Sequence, residues 1–341
     1  AEARTQVFSG EFPKRSGDDI ALVVHTSGTT ARPKGVVASD RMEIRSACAL
    51  GDYWDLRPGD ISVCALPLSY TFGLFSASFT AFCAGASVLL FPKFHPVRVL
   101  EGIERHRASY MVGVPTMYSM MLEHVTQTGR RYDLSSVRMM AASGAPITLK
   151  TKEDFRTTFG VTLRDYYALS ECTPIFSFDL RPESGSTPPP GSVGQLVRGA
   201  EVTLLGDDGQ TVGAGDIGSL SVRSERLTPG YFRDPERNAS AFDQGWFKTG
   251  DLAYRDPDGY FFIVGRDRDQ VISGGHKIAS TEVESVIARM PAVARVAVVG
   301  APHPVQGEIV KAVIVCLPGQ QLDAATCLLY TSPSPRDQRG S

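Results

Sequence analysis

The segment His25-Thr26-Ser27-Gly28-Thr29-Thr30-Ala31-Arg32-Pro33-Lys34-Gly35 constrains this chain most, because it sets two glycines, four hydroxyls and a lysine directly after the apolar run Ile20 to Val24. That run reads as a buried strand, and from Ser39 the pattern turns helical, so the polar segment is a loop at a strand end. Ligands of α/β sheets bind at such ends. Backbone N–H groups freed by Gly28 and Gly35, the hydroxyls of Thr26, Ser27, Thr29 and Thr30, and the mobile charge of Lys34 suit phosphate oxygens. It is not a Walker loop. Pro33 precedes the lysine and Gly35 follows it, where G-x-x-x-x-G-K-[ST] requires glycine and a hydroxyl.

From Ile20 to about Phe178 short apolar strands alternate with helical stretches: Ile61 to Leu66, Ser87 to Phe91, Tyr110 to Val112 and Val137 to Ala142 read as strands, which is an α/β pattern. The proline run Thr187-Pro188-Pro189-Pro190-Gly191 breaks it. Beyond it, Val202 to Leu205, Gly218 to Arg223 and Tyr260 to Val264 read as strands with turns at Asp208-Gly209 and Asp258-Gly259, a small β subdomain. After the charged bridge Arg266-Asp267-Arg268-Asp269, the sequence Thr281-Glu282-Val283-Glu284 fits a capping box on a short helix. Strands Val293 to Val299 and Lys311 to Leu317 follow, the start of an α+β lobe. The spacing predicts parts at 1–186, 187–265 and 266–326, and a non-native, proline-broken tail at 327–341.

At 341 residues and 42% hydrophobic content the chain has material for several cores. A formal charge of −2 supplies no broad basic surface for nucleic acid or an anionic membrane. Apolar runs such as Val296 to Val299 fall far short of the ~20 residues of a membrane helix, and with no signal-peptide pattern at the start the expectation is a cytoplasmic protein. The six cysteines stand far apart without a C-x-x-C pair, which predicts reduced core thiols.

Four further segments carry chemistry. Asp165-Tyr166-Tyr167-Ala168-Leu169-Ser170-Glu171 puts an aromatic ring, a hydroxyl and a carboxylate after a predicted strand. Ser143-Gly144-Ala145-Pro146 follows another strand as a small-residue turn. Gly245-Trp246-Phe247-Lys248-Thr249-Gly250-Asp251 sets a carboxylate on a glycine-supported turn, able to accept a hydroxyl pair. Gly265-Arg266-Asp267-Arg268-Asp269-Gln270-Val271-Ile272-Ser273-Gly274-Gly275-His276-Lys277-Ile278 reads on its own as a charged linker.

Taken in order, these segments resemble the adenylate-forming superfamily, which includes acyl-CoA and aryl-CoA synthetases, peptide-synthetase adenylation domains and beetle luciferase. T-S-G-T-T-A-R-P-K-G is similar to its phosphate loop, with Ala31 where most members have glycine; the tyrosine segment resembles Y-G-x-T-E, with Ala168 and Ser170 substituted; and residues 265–284 resemble its hinge motif. Gly218-Ser219-Leu220 and Gly230-Tyr231 match further segments, read as architecture. The resemblance implies a multi-domain α/β enzyme, truncated at both ends, that activates a carboxylic acid with ATP and Mg²⁺ and passes it to CoA. It leaves open a carrier-protein-loading adenylation domain and a non-catalytic nucleotide-binding remnant. It further implies that Thr26, Ser27, Gly28, Thr29, Thr30 and Lys34 grip phosphates, that Gly144, Ala145 and Pro146 wall the adenine pocket, and that Tyr167 stacks on adenine beside Ser170. Glu171 would hold Mg²⁺, Asp251 the ribose, and Arg266 the ribose or phosphate, with Arg268 as the pivot of the last lobe. Gly274 and Gly275 would let the pantetheine arm of CoA pass.

Leu66-Pro67-Leu68-Ser69-Tyr70-Thr71-Phe72-Gly73-Leu74 resembles the segment bordering the acyl pocket, which makes Tyr70 and Gly73 pocket candidates. No acidic residue lies between Leu66 and Gly85 to hold an amino group, which favours an unsubstituted acid. The swinging lysine of the family's last lobe would fall after Thr326, since Lys311 begins a predicted strand and lacks the glycine-flanked loop.

Overall fold

Strands whose side chains alternate between two buried faces form the centre of the computed structural model, which describes residues 14–26, 33–273, 276–304, 306–317 and 319–322. The candidates Ser27, Gly28, Thr29, Thr30, Gly274 and Gly275, and the side chain of Arg268, lie outside the described residues. Five parallel strands run in the order Ser87–Leu90, Ile61–Cys64, Tyr110–Gly113, Met139–Ala142, Leu163–Asp165. Val63, Met111 and Met140 enter one core with Val99, Leu100, Tyr118 and Phe155 from the helices Pro96–His106, Pro115–Thr128 and Leu149–Phe159. Cys64, Tyr110, Val112 and Met139 enter a second core with Leu50 of the helix Asp40–Tyr53 and Trp54, which caps its end. A sheet covered on both faces needs such continuous apolar runs, which is why these strands are legible in the sequence.

The phosphate-loop candidate departs from the strand-to-helix reading. Strand Ile20–Thr26 pairs antiparallel with a second strand, Lys34–Ser39, with Thr26 opposite Lys34. Only Val24 and Thr26 of the first strand are buried and Ile20 is exposed, so it is not the fully buried strand its apolar character suggests; a two-stranded ribbon has a face left over. Ser39 then accepts from the N–H of Met42 at 3.3 Å and starts the helix Asp40–Tyr53.

Five further strands form an antiparallel sheet in which Trp246–Arg255 pairs with Gly218–Ser224, Phe242–Asp243 and Phe261–Arg266. Its core joins Leu220, Val222, Phe247 and Phe261 to Val36, Cys172 and Phe176. Strand Cys172–Ser177 also pairs with Gln195–Leu196, so one core carries the chain across the proline run. Gly209 and Gly259 take positive φ in the expected turns.

A four-stranded sheet ordered His276–Ala279, Gln270–Ser273, Gly307–Cys316, Val293–His303 closes the described chain, with helix Ser280–Ile287 on one side. The capping-box expectation fails here. The helix begins at Ser280 behind Ala279, and the Thr281 hydroxyl instead donates to the carbonyl of Val264, tying the helix to the preceding sheet. Lys311 sits mid-strand. The core-thiol expectation holds for Cys64 and Cys172 but not for Cys48 and Cys83, which are exposed. No described helix is long and apolar enough to cross a membrane.

Candidate active site

Lys34 opens its strand at the mouth of the hairpin, and Glu171 occupies the tight turn between strands Tyr167–Leu169 and Cys172–Ser177. The Lys34 ammonium donates to Glu171 Oε1 at 2.5 Å. A third residue, Tyr231, completes the cluster: its hydroxyl accepts from Lys34 at 3.1 Å and donates to the same Glu171 oxygen at 2.8 Å. It arrives there because its segment lies along the Lys34–Ser39 strand, with Phe232 N–H on the Gly35 carbonyl and Val37 N–H on the Gly230 carbonyl. Burial and the neighbouring Glu171 carboxylate raise the Tyr231 phenol above its usual pKa. Along the sequence Gly230-Tyr231 reads as architecture, because one polar atom on an aromatic residue gives no signal until its partners are known.

Both partners of Glu171 bind Oε1, and Oε2 has no hydrogen-bond partner among the described residues. A 4%-exposed carboxylate with one open oxygen fits Mg²⁺, which takes one or two carboxylates and fills its remaining positions with phosphate oxygens and water. No group of three or more metal-binding side chains occurs among the described residues.

A second cluster joins Tyr167, Asp251 and Arg266. The Tyr167 hydroxyl donates to Asp251 Oδ2, and Arg266 Nε lies 3.3 Å from Asp251 Oδ1. One face of the Tyr167 ring stacks on Phe176, at 5.6 Å between centroids. Burial, and then the Asp251 charge, hold its phenol well above the ordinary range. Asp251 does not sit on a turn as expected. It lies inside the ten-residue strand Trp246–Arg255 opposite Arg266, where the positive φ of Gly250 and a register shift after Leu252 re-aim the strand. Arg266 ends the neighbouring strand, so sheet pairing rather than a linker brings it to the carboxylate.

The segment Ala168-Leu169-Ser170, which connects Tyr167 to Glu171, lines a cavity of about 70 Å³ together with Tyr70, Phe72, Phe75 and Gly144. Ser170 Oγ is 3.4 Å from Thr71 Oγ1. Gly144 takes positive φ, and Gly144, Ala145 and Pro146 are exposed. Gly73 is not on the wall: a Cβ there would come within 2.9 Å of the Leu66 carbonyl oxygen and closer to that of Pro67, so its role is close packing. The segment from Leu66 to Gly85 supplies no carboxyl, but helix Asp40–Tyr53 brings Glu43 into the same wall.

The fold combines a five-stranded parallel sheet with antiparallel sheets, and the two carboxylate-centred clusters sit on antiparallel strands and the loops between them. The chain belongs to the AMP-binding enzyme family, whose model matches residues 2–232, and the AMP-binding enzyme C-terminal domain matches residues 282–329. It is 33% identical over 302 residues to oxalate–CoA ligase of Arabidopsis thaliana, covering 87% of this chain and 58% of that protein. Indoleacetate–CoA ligase of Aromatoleum aromaticum is likewise 33% identical over 307 residues, with 90% and 59% covered. The chain thus spans less than two thirds of these relatives. Among solved structures it is similar to ATP-bound MatB from Rhodopseudomonas palustris, with TM-score 0.86, 34% identity and coverage of 96% of this chain and 63% of that one. It also resembles o-succinylbenzoate CoA synthetase from Bacillus subtilis in complex with its acyl-adenylate, with TM-score 0.81, 30% identity and coverage of 96% and 64%.

Proposed function

We propose that the chain carries the nucleotide site of an ATP-dependent acyl-CoA synthetase. The observation that carries this reading is the pair of clusters Lys34–Glu171–Tyr231 and Tyr167–Asp251–Arg266, joined by the segment Ala168-Leu169-Ser170 that lines the cavity. In this reaction a carboxylate oxygen of the acid attacks the α-phosphorus of ATP and pyrophosphate leaves; the CoA thiol then displaces AMP from the acyl carbon. Tyr167 offers its free face to adenine and Asp251 accepts the ribose hydroxyls, giving up its bond to the Tyr167 phenol. Lys34 leaves Glu171 for phosphate oxygens, and Tyr231 continues to hold that carboxylate in place. Glu171 would hold Mg²⁺, which when bound neutralises charge on the phosphates. Preorganised donors and positioning supply the rest.

The two relatives above are CoA ligases, which supports CoA as acceptor, with Gly274 and Gly275 as the passage for its pantetheine arm and Arg268 as the pivot of the last lobe. We divide the chain for this purpose at 186/187 and 265/266, and the reading carries with it a cytoplasmic location, where ATP and CoA are both available. The test is acid-dependent ATP–pyrophosphate exchange over a magnesium titration. Exchange is expected in the chain extended to the length of its relatives rather than in the 341 residues alone, and Glu171→Gln in the extended form should reduce it and blunt its response to Mg²⁺. A variant that exchanges at the parent rate throughout the titration removes the metal from Glu171.

A further inference from the structure

The cavity wall holds a carboxyl that the proposed reaction does not use. Glu43 lies in the first turn of helix Asp40–Tyr53, is 5% exposed, and makes no hydrogen bond or ion pair with any described residue. Burial alone pushes its pKa up to about 8, with no neighbouring cation to offset it. The other polar groups on the wall are occupied. The hydroxyls of Ser76 and Ser143 are bonded to the Tyr166 phenol, Thr71 and Ser170 face each other, and Thr173 donates to the Leu169 carbonyl at 2.7 Å. Tyr70 is 43% exposed and can satisfy its hydroxyl with solvent. Burying an unpartnered polar group costs about 1–3 kcal/mol, and a ligand that pairs with it recovers that cost on binding.

Resting on the acid-activation reading, we propose that Glu43 determines specificity by pairing with a hydrogen-bond donor, a hydroxyl or amino group, carried by a compact acid substrate at the end away from its carboxylate. Phe72 and Phe75 supply apolar walls for the carbon frame, and the 70 Å³ volume limits its bulk. This replaces the unsubstituted acid inferred from the stretch Leu66 to Gly85, because the acidic residue comes from a different element.

The test is calorimetric titration of the full chain, saturated with a non-hydrolysable ATP analogue, with isosteric acid pairs: 4-hydroxybutyrate against valerate, and 4-hydroxybenzoate against 4-methylbenzoate. The hydroxy acid should bind about tenfold or more tightly in at least one pair, as expected for a hydrogen bond to a buried carboxyl. Glu43→Met should reduce that preference to within twofold while nucleotide affinity stays at the parent value. Glu43→Gln, which keeps an acceptor, should retain part of the preference. If the Met variant does not fold, the parent comparison and the Gln variant still decide. Affinities within twofold for both pairs, or no binding of any acid with nucleotide still bound, overturn the role of Glu43 and leave the activation reading intact. Failure of the nucleotide itself to bind overturns both.

Discussion

Asp251 sits at 5% exposure between a phenol donor and a guanidinium, so its two oxygens are held where a ribose hydroxyl pair can replace the phenol. Asp251→Ala removes the acceptor and leaves Arg266 without that partner; it is expected to weaken ATP binding by about tenfold or more, read by calorimetry, as the loss of hydrogen bonds to a charged group implies. An unchanged affinity would move the ribose site elsewhere. Glu43 carries the clearest pH signature. Its folded pKa of about 8 lies above the ordinary 4.5, so the native state keeps a proton that the unfolded chain releases across that interval. Its contribution to stability is therefore fully present below about 4.5 and is lost as pH rises through about 8. Glu43→Gln lacks this proton, so its stability relative to the parent should climb from pH 5 to pH 8.5 by an amount on the order of a few kcal/mol. A flat difference between the two melting curves over that range would place a partner beside the carboxyl.

At the scale of elements, the π-helix Phe72–Phe79 shapes the cavity because Gly73 lets its first turn press onto the Leu66-Pro67 backbone, where the Gly73 carbonyl also accepts from Ser78 Oγ at 2.9 Å. Those neighbours are backbone atoms and cannot rotate away. Gly73→Ala should therefore destabilise by about 1–3 kcal/mol, read as a lower denaturant midpoint, and should loosen the Tyr70 and Phe72 wall. The hairpin Ile20–Thr26 and Lys34–Ser39 explains why the lysine is placed so firmly: it begins a strand whose other edge takes the backbone of Gly230 and Phe232. That second pairing brings Tyr231 across 197 residues of sequence to Lys34. The Lys34–Ser39 strand is not legible in the sequence because its six residues, with Gly35 among them, merge into the polar loop before and the helical pattern after.

Across the whole molecule, Phe176 links the fold to the site. It is fully buried, stacks on Phe261 at 4.1 Å and supports the Tyr167 ring at 5.6 Å, joining strands on both sides of the proline run. Phe176→Ala should cost about 3–5 kcal/mol of stability and, by releasing Tyr167, weaken nucleotide binding in the folded fraction. A melting temperature that falls with nucleotide affinity unchanged would separate the two. Parallel strands such as Tyr110–Gly113 and Met139–Ala142 were legible because a sheet buried on both faces demands continuous apolar runs. Lys34, Tyr167, Glu171, Asp251 and Arg266 stand out in the sequence as candidates because each lies in a short segment of specific spacing and chemistry. Local spacing does not report which residues become neighbours through pairing of distant strands. Asp251 meeting Arg266, Tyr231 closing on Lys34 and Glu171, and Thr281 bonding Val264 instead of capping its helix all follow from such pairings. Glu43 is the sharpest case: along the sequence it is one charge among others in an amphipathic helix, and only the packing of that helix beside the segment from Tyr70 to Ser76 makes it a buried carboxyl on the cavity wall. The sequence by itself therefore determined the family and the chemistry of its local motifs, because both are written in contiguous residues. The tertiary structure decided which side chains share the cavity, because burial and proximity arise only when separate elements pack.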